Sequence, residues 1–73
     1  MTRYLDDVET GERFQILEVP DGTVRAQLLR IGFLDGVVEC RNRIRNGPVV
    51  LEADGTQIAL GASVAAQIRI DAV

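Results

Sequence analysis

The sequence has no histidine and a single cysteine, Cys40. Without histidine the chain cannot assemble a Ser-His-Asp or Cys-His catalytic group, and a zinc site of cysteine and histidine ligands is not expected. A lone cysteine also excludes a disulfide within the chain. We therefore expect no catalytic residues, no metal site and no cofactor, and a protein that is not an enzyme.

Long apolar segments are also missing. No run of apolar residues is long enough to span a bilayer, and the first residues do not resemble a signal peptide. These absences predict a cytoplasmic protein with no direct membrane insertion. Nucleic acid is not expected as a partner, because the net charge of −3 opposes the phosphate neutralisation on which such binding depends.

Aromatic side chains are few, since the 73 residues contain only Tyr4, Phe14 and Phe33. The length predicts a single domain over residues 1–73, with a core built mainly from aliphatic side chains. A core of this size gives modest stability, so we expect additional stabilisation from a partner or from weak homo-oligomer formation.

A short amphipathic helix is predicted ahead of the middle of the chain. Val24, Leu28 and Ile31 recur at the spacing that places them on one helical face. Gly32 follows directly, where a left-handed residue commonly ends a helix. We expect a positive φ at Gly32 and packing of Phe33 back onto Leu28.

A first strand is predicted to precede this helix, over residues 12–19. Phe14 and Ile16 alternate inward, and the alternation then breaks, which suggests a bulge or a strand end that is apolar on both sides. A turn follows at residues 20–22, and we expect Asp21 or Thr23 to cap the helix.

Two turn dipeptides, Asn46-Gly47 and Asp54-Gly55, are both typical of two-residue type I′ hairpins. In this register Ile44 faces Val49, and Pro48 fits as the first residue of its strand, where its missing N–H would do little harm. The register predicts these inward-facing residues: Val38, Cys40, Ile44, Val49, Leu51, Ile58 and Leu60.

The same register places Cys40 opposite Ala53, which favours a buried structural thiol over a reactive nucleophile. Several glycines at turns and at the helix end are expected to be structural: Gly32, Gly36, Gly47 and Gly55.

The rest of the chain is predicted to form one helical turn over residues 61–66, capped by Ser63, and a last strand over residues 67–72. Ile68 and Ile70 face inward in that strand. The chain is therefore mainly β, a small SH3-like barrel of about five strands with one short α-helix between the first two strands.

Charged residues concentrate at the N-terminus and along one predicted strand. The N-terminal group is acidic and consists of Asp6, Asp7, Glu9 and Glu12. They fit a cation site, although a solvated face with favourable charge at a helix start is the favoured interpretation. Arg41, Arg43 and Arg45 alternate along one strand and allow two interpretations. They form exposed ion pairs, with Arg41 opposite Glu52, or they join Arg25 and Arg30 in a basic patch that docks an acidic partner.

Several short motifs resemble the FeoA family over nearly the whole chain. They are Leu5 and Val8 before Gly11-Glu12, the strand at 13–19, residues 28–33 with Gly36, and residues 47–50, 55–60 and 65–68. Two regions depart from the family pattern. Asp35-Gly36 replaces the usual Pro-Gly, and Gly61 replaces an arginine, with Ala62 and Val64 where charged residues are usual.

The resemblance implies a small cytoplasmic accessory protein of bacterial ferrous iron uptake that acts by protein–protein interaction with the FeoB permease. The resemblance also implies transition metal ion binding as a property of the family. The alternative is a stand-alone relative of the SH3-like C-terminal module of iron-dependent transcriptional repressors.

A partner surface is expected around the end of the helix, since Arg25 and Arg30 project away from its buried face. Of Phe33 and Leu34, we expect one to point inward and the other to be partly exposed as an apolar anchor. The alternative is that Leu34 covers the end of the barrel and both arginines are simply solvated. The predicted partner-binding residues are Arg25, Arg30, Phe33, Leu34, Arg41 and Arg43.

Overall fold

Alternating apolar and polar side chains build a six-stranded antiparallel sheet in the computed structural model, which describes residues 2–73. The elements in chain order are β1 (Arg3–Tyr4), a 3₁₀ turn (Leu5–Asp7), β2 (Arg13–Glu18), α1 (Gly22–Arg30), β3 (Val37–Arg43), β4 (Val49–Ala53), β5 (Thr56–Leu60), α2 (Ala62–Ala65) and β6 (Arg69–Ala72). The strands lie in the order β1-β6-β2-β3-β4-β5. The predicted mainly β, SH3-like barrel is confirmed, with the two-residue β1 as an additional strand.

One apolar core lies inside the sheet and is largely aliphatic, as predicted. Phe14 and Phe33 are its largest fully buried side chains. Leu5 and Val8 are also fully buried, so the N-terminal segment is anchored to the core by these two residues. In β2 the pairing with β6 shifts after Ile16, which confirms the predicted bulge.

Helix α1 begins and ends as the sequence predicts. The Asp21 carboxylate caps it by accepting hydrogen bonds from the Thr23 and Val24 amides at 2.9 and 3.0 Å. At the other end Gly32 has a φ of +83°, and the Phe33 N–H donates to the Leu28 carbonyl at 2.9 Å. This is the hydrogen-bonding pattern of a Schellman motif, and it turns the buried Phe33 side chain into the core.

The hairpin between β4 and β5 has the predicted two-residue turn. Asp54 and Gly55 have φ values of +51° and +81°, as a type I′ turn requires at both central positions. The pairing of Leu51 with Ile58 is therefore the predicted one.

The hairpin between β3 and β4 differs from the prediction. Arg43, and not Ile44, pairs with Val49. A two-residue turn at Asn46-Gly47 would be closed by an N–H at position 48, and Pro48 has none. The chain instead closes the turn one residue earlier, where the Gly47 N–H donates to the Ile44 carbonyl at 2.8 Å.

This change of register reverses the predicted orientation of Ile44, whose side chain is 54% exposed. Cys40 is buried as predicted, but it pairs with Leu51 and not with Ala53. The register also shifts between Cys40 and Asn42, which keeps Cys40 on the inward face. The other predicted inward residues are buried, except for the half-buried Ile58.

Two smaller predictions are wrong. Ser63 does not cap α2, because Gly61 occupies the N-cap position and Ser63 lies inside the helix. Gly36 has neither a positive φ nor any atom within 4 Å of the position that a Cβ would take. Nothing in the structure therefore requires glycine at position 36.

Gly32→Ala is expected to lower the free energy of unfolding by about 1–2 kcal/mol, because alanine is strained at positive φ. No side chain crowds this position, so the cost would come from the backbone alone. Gly36→Ala is the matched control and should change stability by less than about 0.5 kcal/mol. The two variants are compared by urea unfolding, and equal costs would contradict the assigned helix end.

Candidate functional site: the outer face of the first helix

Helix α1 separates its side chains into an inner and an outer face. Leu28 is fully buried, and Val24 and Ile31 are half-buried beside it. This inner face packs against the core. Because Asp21 and Gly32 fix the two ends of the helix, the residues on the opposite side are held in defined positions.

The outer face presents an apolar centre between two arginines. Leu29 is 50% exposed, and Ala26, three residues earlier, lies next to it on the helix. Arg25 and Arg30 flank these two side chains and are exposed. Within residues 2–73, neither arginine has a carboxylate oxygen within 4.0 Å. We call the four residues the α1 surface.

Of the two residues after the helix end, one was expected to point inward and the other to be partly exposed, and this is confirmed. Phe33 is 0% exposed and belongs to the core, so it is not available as a partner-binding residue. Leu34 is half-buried against the core, and Leu29 is the more exposed apolar side chain of this region. Leu29 was missed, although adjacent helical residues point about 100° apart, so Leu28 and Leu29 could not both face the core.

Arg41 and Arg43 lie in a different region. They are near the C-terminal end of β3, whereas α1 leads into its N-terminal end. Arg43 lies six positions after Val37 along β3, a distance of about 20 Å. The structure therefore separates the predicted partner-binding arginines into a helical group and a strand group.

Arg41 forms the ion pair that its spacing suggested. Its guanidinium lies 3.1 Å from a Glu52 carboxylate oxygen and 3.5 Å from one of Glu39. All three side chains are partly exposed, so each contact contributes little to stability.

The acidic N-terminal segment is organised around an arginine. The Arg3 guanidinium donates hydrogen bonds to both carboxylate oxygens of Glu12, and to the Asp7 carbonyl at 3.3 Å. The Glu9 N–H also donates to Glu12, at 3.2 Å. Among the residues described, no three Cys, Asp or Glu side chains come together in a way that could hold a metal ion.

The hydrogen bond from Arg3 lowers the pKa of the Glu12 carboxyl, against the opposing effect of desolvation. A lowered pKa means that the unfolded chain binds the proton more readily than the folded chain. Glu12 therefore adds stability above its unfolded-state pKa of about 4.3, and this stability is lost as the pH falls through the folded value.

Glu12→Gln is expected to lower the melting temperature at pH 7 and to make the melting temperature less sensitive to acid below about pH 5. The control is Glu9→Gln, which removes the same charge from the same segment but leaves the Arg3–Glu12 pair intact. Melting curves between pH 7 and pH 3 compare the variants. Identical acid dependence in both would contradict a role for the pair.

The thiol of Cys40 lies in the core and not at the α1 surface. Burial raises the pKa of the Cys40 thiol, partly offset by a weak contact with the Asn42 carbonyl at 3.7 Å. A buried thiol of raised pKa forms little thiolate and behaves as a small apolar side chain.

The fold and the α1 surface together define a small SH3-like barrel that carries an exposed apolar patch between arginines. The family model of the FeoA domain matches residues 3–72. The chain therefore belongs to the FeoA family, which is related to ferrous iron transport. None of the helices within residues 2–73 is long and apolar enough to cross a membrane.

Solved structures share the fold at low sequence identity. A crystal structure described as an iron uptake regulatory protein (FeoA) is 19% identical with a TM-score of 0.81, and the match covers 100% of both chains. The FeoA protein of Chlorobium tepidum is 18% identical with a TM-score of 0.83, over 97% of this chain and 70% of that one.

A longer protein also contains this fold. A manganese-dependent transcriptional repressor is 20% identical with a TM-score of 0.79, over 99% of this chain but only 42% of the repressor. A comparison with curated proteins finds no match.

Proposed function

We propose that the chain is a non-enzymatic accessory protein of bacterial ferrous iron uptake, which acts in the cytoplasm by binding the cytoplasmic region of a FeoB-type permease. Membership of the FeoA family over residues 3–72 supports this proposal most directly. Ferrous iron is then the cargo of the permease and not a ligand that this chain must hold.

The α1 surface is the region that we propose contacts the permease. Leu29 supplies the apolar side chain that a partner can bury, and a few buried central residues carry most of the binding energy of an interface. Arg25 and Arg30 lie at the rim, where charge speeds association and selects an acidic partner. Removal of these side chains from solvent disrupts no ion pair within residues 2–73.

The second candidate is a regulatory module that binds a transcription factor. The fold shared with part of a manganese-dependent transcriptional repressor favours it. In that case the α1 surface would bind a repressor and not a permease, so the identity of the bound protein distinguishes the two functions.

Leu29→Asp is expected to weaken binding to the permease cytoplasmic region by about tenfold or more, because it places a charge in the apolar contact. Arg30→Glu should mainly slow association and reduce its dependence on salt. Both are measured by surface plasmon resonance at several salt concentrations, with thermal melts of each variant.

Leu17→Asp is the matched control, because Leu17 is 53% exposed but lies on β2. It should leave the affinity unchanged. Wild-type binding with no loss in Leu29→Asp or Arg30→Glu would place the contact on another surface. Absence of any wild-type binding would overturn the proposed partner.

A further inference from the structure

The hairpin between β3 and β4 carries a second exposed apolar side chain among arginines. Ile44 is 54% exposed at the start of the turn. Residues 41–48 contain three arginines and no acidic residue, although the chain as a whole has a net charge of −3. We call residues 41–48 the basic hairpin.

Two arginines of the basic hairpin are available to a partner. Arg41 is already paired with Glu39 and Glu52. Arg43 and Arg45, the neighbours of Ile44 in sequence, are exposed and have no carboxylate oxygen within 4.0 Å among residues 2–73. Binding through them would break no ion pair within the described chain.

The exposed Ile44 is also held in place by the turn. Its N–H donates to the Pro48 carbonyl at 3.3 Å, and its carbonyl accepts from the Gly47 N–H at 2.8 Å. Its Cγ2 lies 2.9 Å from the position that a Cβ at Gly47 would occupy. The Ile44 side chain therefore lies close to Gly47, and the two hydrogen bonds hold the Ile44 backbone in the turn.

We propose that the basic hairpin is a docking site for an acidic segment of a partner protein, in which an apolar side chain of that segment contacts Ile44. Charge complementarity favours this occupant, because Arg43 and Arg45, the sequence neighbours of Ile44, provide bidentate donors for the carboxylates of an acidic segment. Nucleic acid is a poorer fit, because the net charge of −3 repels a polyanion beyond the hairpin and no exposed aromatic side chain lies among residues 41–48 to stack on bases.

This site is separate from the α1 surface and does not depend on the proposed permease contact. Arg43 lies about 20 Å along β3 from the end that α1 leads into. Loss of binding at one surface can therefore be measured without a change in binding at the other.

The test is an NMR titration of the ¹⁵N-labelled full chain with a twelve-residue peptide of glutamates around a central leucine. We expect amide shifts confined to the basic hairpin and weaker binding at high salt. Ile44→Ser and Arg45→Glu should each weaken binding at least fivefold. Gly47→Ala should also weaken it, because the new methyl group displaces Ile44 without changing charge, whereas Leu17→Asp on β2 should have no effect.

Several results would overturn the proposal. The first is no hairpin shift with the acidic peptide, or equal shifts with a peptide in which lysines replace the glutamates. The second is tighter binding of a single-stranded oligonucleotide at the hairpin, which would make nucleic acid the occupant. The third is a concentration-dependent hairpin shift without peptide, which would make a second copy of the chain the occupant.

Discussion

Pro48 has no amide hydrogen, and the hairpin between β3 and β4 must therefore close without the bond that a two-residue turn would place there. The Gly47 N–H takes over this role and bonds to the Ile44 carbonyl. The strands then pair Arg43 with Val49, and the shift between Cys40 and Asn42 keeps Cys40 inside. The missing hydrogen thus accounts for the exposure of Ile44, whereas the burial of Cys40 depends on the register shift that follows it.

Features that depend on a few neighbouring residues could be predicted from the sequence. Gly32 ends α1, and Asp54-Gly55 forms a two-residue turn, because positive φ is a local requirement that glycine and aspartate meet. The α-helical spacing likewise predicted the inner face of α1, on which Leu28 is fully buried and Val24 and Ile31 are half-buried.

Features that depend on competition between two local preferences were not predicted. Asn46-Gly47 is a strong turn signal, but the adjacent Pro48 removes the donor that this turn needs. The choice between Phe33 and Leu34 was also left open, since the backbone after Gly32 could direct either side chain inward. Leu29 was missed as an exposed anchor because only the buried face of the helix was used to define the surface.

Both candidate sites are built around apolar side chains that the small core does not bury. Leu29 and Ile44 are each about half exposed, and each lies beside arginines that form no ion pair within residues 2–73. One lies on a helix fixed at both ends, and the other lies on a turn fixed by Pro48 and Gly47. A small barrel with few chemically reactive groups can in this way present two surfaces whose backbone conformation is fixed by local hydrogen bonds.

The register of the β3–β4 hairpin is the feature on which the basic hairpin depends, and NMR cross-strand contacts measure it directly. The expected result is a set of NOEs that connect Cys40 with Leu51 and Arg43 with Val49, together with a Gly47 amide protected from hydrogen exchange. NOEs that connect Ile44 with Val49 and Cys40 with Ala53 would contradict it, because Ile44 would then face the core.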